Sequence, residues 1–101
     1  MSEFVKVAQK KDVPSDTGLC VEAGGKEIAL YQLDGKIYAL DNICPHAGGP
    51  MAEGGVNEGM AICPWHGWEF SIKTGECGFN AEIKQQTYEV KEDGEDIYVK
   101  V

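Results

Sequence analysis

The sequence predicts an all-β protein: an antiparallel β-sandwich or barrel-like base with a two-loop segment inserted between its strands. Three observations carry that prediction. Apolar residues recur at every second position in several short runs, the period of a strand with one covered face. Turns containing glycine separate those runs, as in sandwiches and barrels. No window shows the 3.6-residue periodicity of an amphipathic helix. From about residue 42 to residue 79 the alternation gives way to a stretch rich in glycine, which also holds three of the four prolines.

Phe4-Val5-Lys6-Val7-Ala8 alternates as a first strand, with Val5 and Val7 inward. Lys10 to Gly18, broken by Pro14, reads as a loop. Leu19 to Ala23, the pair Gly24-Gly25 and Lys26 to Leu33 form a hairpin. Ile28 to Leu33 is apolar on both faces, as a central strand is. Asp34-Gly35 is a favoured two-residue turn leading into Lys36 to Leu40. Within 42–79, short strands are expected around Ala61-Ile62 and Glu69 to Ile72, with a turn at Thr74-Gly75. Thr87 to Lys91 reads as one strand with Tyr88 and Val90 on one face. Asp93-Gly94 lies in the turn to a last strand, Asp96 to Val101.

A chain of 101 residues fits one domain, 1–101, with a modest core. Nine lysines against seventeen acidic residues give a net charge of −8, and there is no arginine. A nucleic-acid binder needs a basic face, so that class is excluded. An acidic surface favours steering towards a basic protein partner. The start, Met1 to Lys6, lacks the apolar core of a signal peptide, and no stretch approaches the roughly 20 apolar residues of a membrane span. The expectation is a cytoplasmic protein with reduced thiols. Cys20, in Leu19-Cys20-Val21, then reads as a core residue, and Cys77 as a free thiol nearer the loops.

The chemistry concentrates in Cys44-Pro45-His46, sixteen further residues, and Cys63-Pro64-Trp65-His66, which together hold both histidines. Each half pairs one sulfur with one imidazole. Structural zinc sites draw instead on paired C-x2–4-C and H-x3–5-H modules. Two thiolates on one iron and two imidazoles on the other suit one 2Fe–2S centre, if the loops face each other. Cys44 and Cys63 then meet one iron, and His46 and His66 the second. A structural zinc site on the same four residues, or no metal at all, is the alternative, since zinc also takes thiolate and imidazole.

The pattern C-x-H-x16-C-x2-H, continuing as Gly67-Trp68-Glu69-Phe70, resembles the Rieske ferredoxin family over most of the chain. The resemblance implies a β base domain with a smaller cluster-binding subdomain, about 42–79, inserted between strands. It implies a 2Fe–2S cofactor held by Cys44, His46, Cys63 and His66. Relatives in cytochrome bc complexes carry a loop disulfide at the positions of Gly49 and Trp65, so that bridge cannot form here. They also carry a Ser and a Tyr, both donors to sulfur, where this chain has Trp68 and Phe70. Fewer donors and the nearby Glu53, Glu58, Glu69 and Glu76 imply a low-potential centre. The family's third loop has a Gly-Pro element. Gly78-Phe79-Asn80-Ala81 stands there without the proline.

Both histidines belong to the motif, so none remains for a catalytic iron, and no dinucleotide-binding fingerprint occurs. The resemblance implies a one-electron carrier, not an enzyme in its own right. It would run between a flavin-dependent reductase and a terminal oxygenase, as in ring-hydroxylating dioxygenase systems. The alternatives are the small subunit of an assimilatory nitrite reductase, bound to its large subunit, and a zinc-stabilised interaction module without redox activity. Trp65 is read as packed within the subdomain rather than as a docking lid with Pro45, Pro50, Met51 and Trp68. The acidic run Glu89, Glu92, Asp93, Glu95 and Asp96 reads as a solvated hairpin end.

Overall fold

The alternation and turns recur as an antiparallel β fold in the structure, a computed structural model that describes residues 4–14, 16–43, 50–65, 67–78 and 80–100. Strands β2 (Leu19–Ala23), β3 (Lys26–Leu33) and β4 (Lys36–Asp41) follow the runs read from the sequence. They form consecutive hairpins and, with β10 (Thr87–Tyr88) beside β4, make a four-stranded sheet. Asp34 and Gly35 both have positive φ, 53° and 80°, the type I′ geometry whose twist matches two paired strands.

Both faces of this sheet are covered. Ile28 and Leu30 of β3, with Ile37 and Ala39 of β4, pack against Ile97 and Val99. The alternate residues Ala29, Tyr31 and Leu40 pack against Met51, Ala61, Phe70 and Ile72. The period of two in a strand thus divides its apolar residues between two cores. Each large aliphatic side chain removed from water contributes about 1.5–3 kcal/mol.

The first core is closed by a sheet of β1 (Phe4–Gln9), β12 (Asp96–Lys100) and β11 (Val90–Asp93), in the order β1-β12-β11. Its edge strand β1 is irregular: Lys6 faces Tyr98 while Ala8 already faces Ile97, so Val7 is an extra residue, a β-bulge. Val7 and Ala8 both pack on the core. Val5 was expected inward, yet it is 37% exposed at the rim of the edge strand. The stretch expected to be one strand from Thr87 is divided. Tyr88 pairs with Ala39 in the central sheet, and Val90 pairs with Val99 in the outer one. Tyr88 and Val90 still share the first core.

The second core is closed by the third sheet, β5 (Val56–Asn57), β6 (Met60–Ile62), β7 (Glu69–Ser71), β8 (Glu76–Cys77) and β9 (Asn80–Lys84), each paired with the next. Glu58 and Gly59 make another turn with two positive φ angles between β5 and β6. Glutamate rarely adopts that conformation, so the sequence carried no signal for β5. Cys20 was expected in the core and is exposed instead. It faces Ala29 from the sheet's edge strand, and its sulfur lies 3.9 Å from the Glu27 carboxylate. Among the described residues no helix is long and apolar enough to cross a membrane.

Candidate metal centre

Of the four proposed ligands, Cys63 lies among the described residues, while Cys44, His46 and His66 lie outside them, as does Phe79 of the expected third loop. The structure therefore shows where the two ligand-bearing segments begin and end. Each is closed at its base. Ile43 and Pro50, the described residues on either side of 44–49, form an antiparallel bridge. In the other, Ile62 faces Glu69, and the Cys63 N–H then donates to the Trp68 carbonyl at 2.8 Å. The Gly67 N–H turns back to the Cys63 carbonyl at 3.0 Å, with Gly67 at φ 73°, a value glycine adopts without strain.

One short piece of chain fastens the two bases together. Met51 N–H donates to the Asn42 backbone carbonyl at 2.7 Å, and Ala52 N–H to the Asn42 side-chain Oδ1 at 2.8 Å. The Asn42 N–H in turn donates to the Glu27 carbonyl in β3 at 3.0 Å. Beyond the 3-10 turn Met51–Glu53, the Gly54 backbone lies so close to the Ile62 carbonyl that any Cβ would collide with it. The Ile62 N–H donates to the Gly55 carbonyl at 2.9 Å. Thr17 Oγ1 lies within hydrogen-bond reach of the Ala52 and Gly54 carbonyls, at 2.8 and 2.7 Å, pinning the same piece from its other side.

Cys63 is wholly buried and makes no disulfide. It shares its core with Tyr31, Met51, Phe70 and Cys77. Tyr31 donates its hydroxyl to the Met51 carbonyl at 2.9 Å. Burial, and secondarily the Cys63 sulfur, push the Tyr31 hydroxyl pKa well above its ordinary value. Cys77 is buried and faces Phe70 across β7 and β8. Trp68 is half-buried, its ring 6.5 Å from that of Phe70 and tilted by 37°. Among the described residues no three His, Cys, Asp or Glu side chains converge on a common point.

The expected packing of Trp65 is overturned: it is 57% exposed. Its position in the tight turn after Pro64 directs it away from the core. Met51, which the docking-lid alternative placed on the surface, is wholly buried. Ile43, at the base of the other segment, is 50% exposed.

The family model for the Rieske [2Fe-2S] domain matches residues 3–93. The chain belongs to that family. A Rieske domain holds a 2Fe–2S cluster, and the residues described here fit one. A reduced thiol, soft enough for iron and shut off from water, stands in a tight turn that is fastened to the base of the other segment. This Rieske chain is 36% identical over 89 residues to the ferredoxin component of the naphthalene 1,2-dioxygenase/salicylate 5-hydroxylase systems of a Ralstonia species, covering 87% of this chain and 86% of that one. The ferredoxin in the complex of reduced oxygenase and oxidised ferredoxin of carbazole 1,9a-dioxygenase superposes with a TM-score of 0.83 at 26% identity, over 94% of this chain and 99% of that one. A Mycobacterium tuberculosis protein described as an NADH-dependent nitrite reductase small subunit has a TM-score of 0.90 at 21% identity, over 100% and 96% of the two chains, which shows a shared fold.

The residues that sequence reasoning missed are the supports. Among the described residues the buried polar side chains are Asn42 and Gln85, and both bond to the base of the first segment. Neither carries a motif. Gln85 lies in the polar run Lys84-Gln85-Gln86-Thr87.

Proposed function

We propose that this Rieske domain is an electron carrier, holding its cluster on Cys44 and Cys63 at one iron and on His46 and His66 at the other. A bound 2Fe–2S cluster takes up and releases one electron at a time. The observation that carries the reading is the wholly buried, unbridged Cys63 in a turn tied to the base of the 44–49 segment. The chain's own part is to hold the ligands, keep water from Cys63 through Tyr31, Met51 and Phe70, and present an edge to partners. We take 42–79 as the cluster-binding subdomain and 1–101 as one domain.

The donor would be a flavin-dependent reductase and the acceptor a terminal oxygenase. The naphthalene dioxygenase relative, named a ferredoxin component, and the carbazole ferredoxin, found in complex with its oxygenase, support this pairing. The resemblance to a nitrite reductase subunit is one of fold and supports no partner. Trp65 and Ile43, exposed beside the ligand segments, are the apolar contact, and the net charge of −8 steers basic partners. Visible absorption and low-temperature EPR before and after dithionite test the cluster. A red-brown protein that bleaches to a low-average-g signal is expected, and a colourless zinc protein would overturn the reading. Reduction by NADH through a flavin reductase, slowing as salt is raised, tests the partner.

A further inference from the structure

Gln85 sits between β9 and β10, 5% exposed, and its contacts reach in two directions. Its side-chain Nε2 donates to the Asp41 carbonyl at 2.6 Å and to the Ile43 carbonyl at 2.8 Å. A glutamine amide has two N–H donors, so each carbonyl can take one. Ile43 is the residue before Cys44. The Gln85 side-chain oxygen accepts from the Gln86 N–H at 3.2 Å, which fixes which way the amide faces. Its backbone N–H donates to the Gly75 carbonyl at 2.6 Å, and Gly75 N–H donates to Ser71, the last residue of β7, at 2.7 Å. At Gly75, with φ at 81°, a Cβ would strike the Gln85 carbonyl.

We propose that Gln85 is a positioning residue for the metal centre, its amide locking the start of the Cys44 segment to the turn behind the strand that follows Cys63. The proposal rests on the Rieske reading above. The 50–55 piece ties the two segments on one side, and Gln85 ties them on another through an independent set of bonds. Without its donors the Ile43 carbonyl is free to turn, and the chain that leads into Cys44 loses one of its anchors to the base of the second segment. Gln85 borders a cleft that it lines with Asp41, Ile43, Thr74, Lys84, Gln86 and Thr87.

The test uses the cluster-loaded protein and three variants. Gln85→Glu keeps the size and, when ionised, offers no donor. Gln85→Met keeps the length without polarity. Gln86→Ala removes the neighbour, whose side chain donates to the adjacent Thr87 carbonyl at 2.8 Å. Read-outs are the EPR g values after dithionite, the reduction potential, and the rate of bleaching under an iron chelator. Losing two part-buried hydrogen bonds predicts bleaching about tenfold faster in both Gln85 variants, with shifted or broadened g values. Gln86→Ala should match the parent.

Parent g values, potential and bleaching rate in both Gln85 variants would overturn the proposal, even if their melting temperatures fall. Should Gln85→Met fail to fold, Gln85→Asn, which keeps the donors but falls one methylene short of both carbonyls, takes its place under the same criteria. A parent protein with no cluster at all would instead sink the Rieske reading.

Discussion

The Tyr31 hydroxyl and the Met51 carbonyl lie 2.9 Å apart within the core that holds Cys63. This bond joins the central sheet to the 3-10 turn that fastens both ligand segments. Tyr31→Phe would keep the packing and remove one of two hydrogen bonds to the Met51 carbonyl, the other coming from the Gly54 N–H at 3.1 Å, a loss of about 0.5–1.5 kcal/mol. In a chain of this size each kcal/mol lowers the melting temperature by roughly 4–8 °C. An unchanged melting curve would mean that the Gly54 N–H alone satisfies the Met51 carbonyl.

Gly54→Ala places a methyl where the Ile62 carbonyl stands. Backbone must move, and overpacking of this kind costs about 1–3 kcal/mol. Because Ile62 precedes Cys63, the displacement also reaches the metal centre. Thermal melting and chelator bleaching should both worsen. Loss of stability with parent bleaching kinetics would confine Gly54 to the scaffold.

The reduction potential should lie towards the negative end of the family's range of about −150 to +300 mV. Phe70 is wholly buried in the core that holds Cys63, and it offers no hydroxyl there. Phe70→Tyr would supply a donor, and a hydrogen bond worth ~1.4 kcal/mol more to the reduced form raises a one-electron potential by about 59 mV. Redox titration of both proteins decides it. A parent midpoint well above zero would contradict the low-potential reading.

Trp65→Ala removes a side chain that is 57% exposed, so stability should change by no more than about 0.5 kcal/mol. If the ring is a contact for partners, the apparent affinity for reductase or oxygenase falls about tenfold or more. Stopped-flow reduction against partner concentration measures this. Equal affinities would leave the exposed ring without a role in docking.

Asp96 gives the clearest dependence on pH. Its carboxylate accepts hydrogen bonds from Lys6 at 3.2 Å and from the Gln9 side chain at 3.4 Å, and these hold its pKa below the ordinary carboxylate value. The unfolded chain therefore binds the proton more readily than the folded one. Stability from this group is present above the ordinary aspartate pKa and is lost as the pH falls through the lower, folded value. Asp96→Asn should flatten the acid limb of the stability curve slightly. A parent-like acid limb in the variant would exclude this source.

The hairpins from Leu19 to Asp41 were legible because the double glycine, Asp34-Gly35 and the apolar run of a central strand agree with one another. The change of sheet at Glu89 was not, because Tyr88 and Val90 stay on one core while their backbones take different partners. Cys20 and Val5 went astray for a related reason: alternation gives a side, and only strand position tells whether that side is covered. The motif pointed to Cys63, which is buried and unbridged, but the supports are contacts between distant residues. Gln85 and Asn42 act through backbone carbonyls and amides, which leave no pattern in a chain read by side-chain type.

Because β3 lends Ile28 and Leu30 to one core and Ala29 and Tyr31 to the other, the central sheet is a wall common to two rooms. Neither room can be emptied while its neighbour stands furnished. An insult to the outer strands far from any ligand should therefore be felt at the metal, and the protein should lose colour and fold at one temperature.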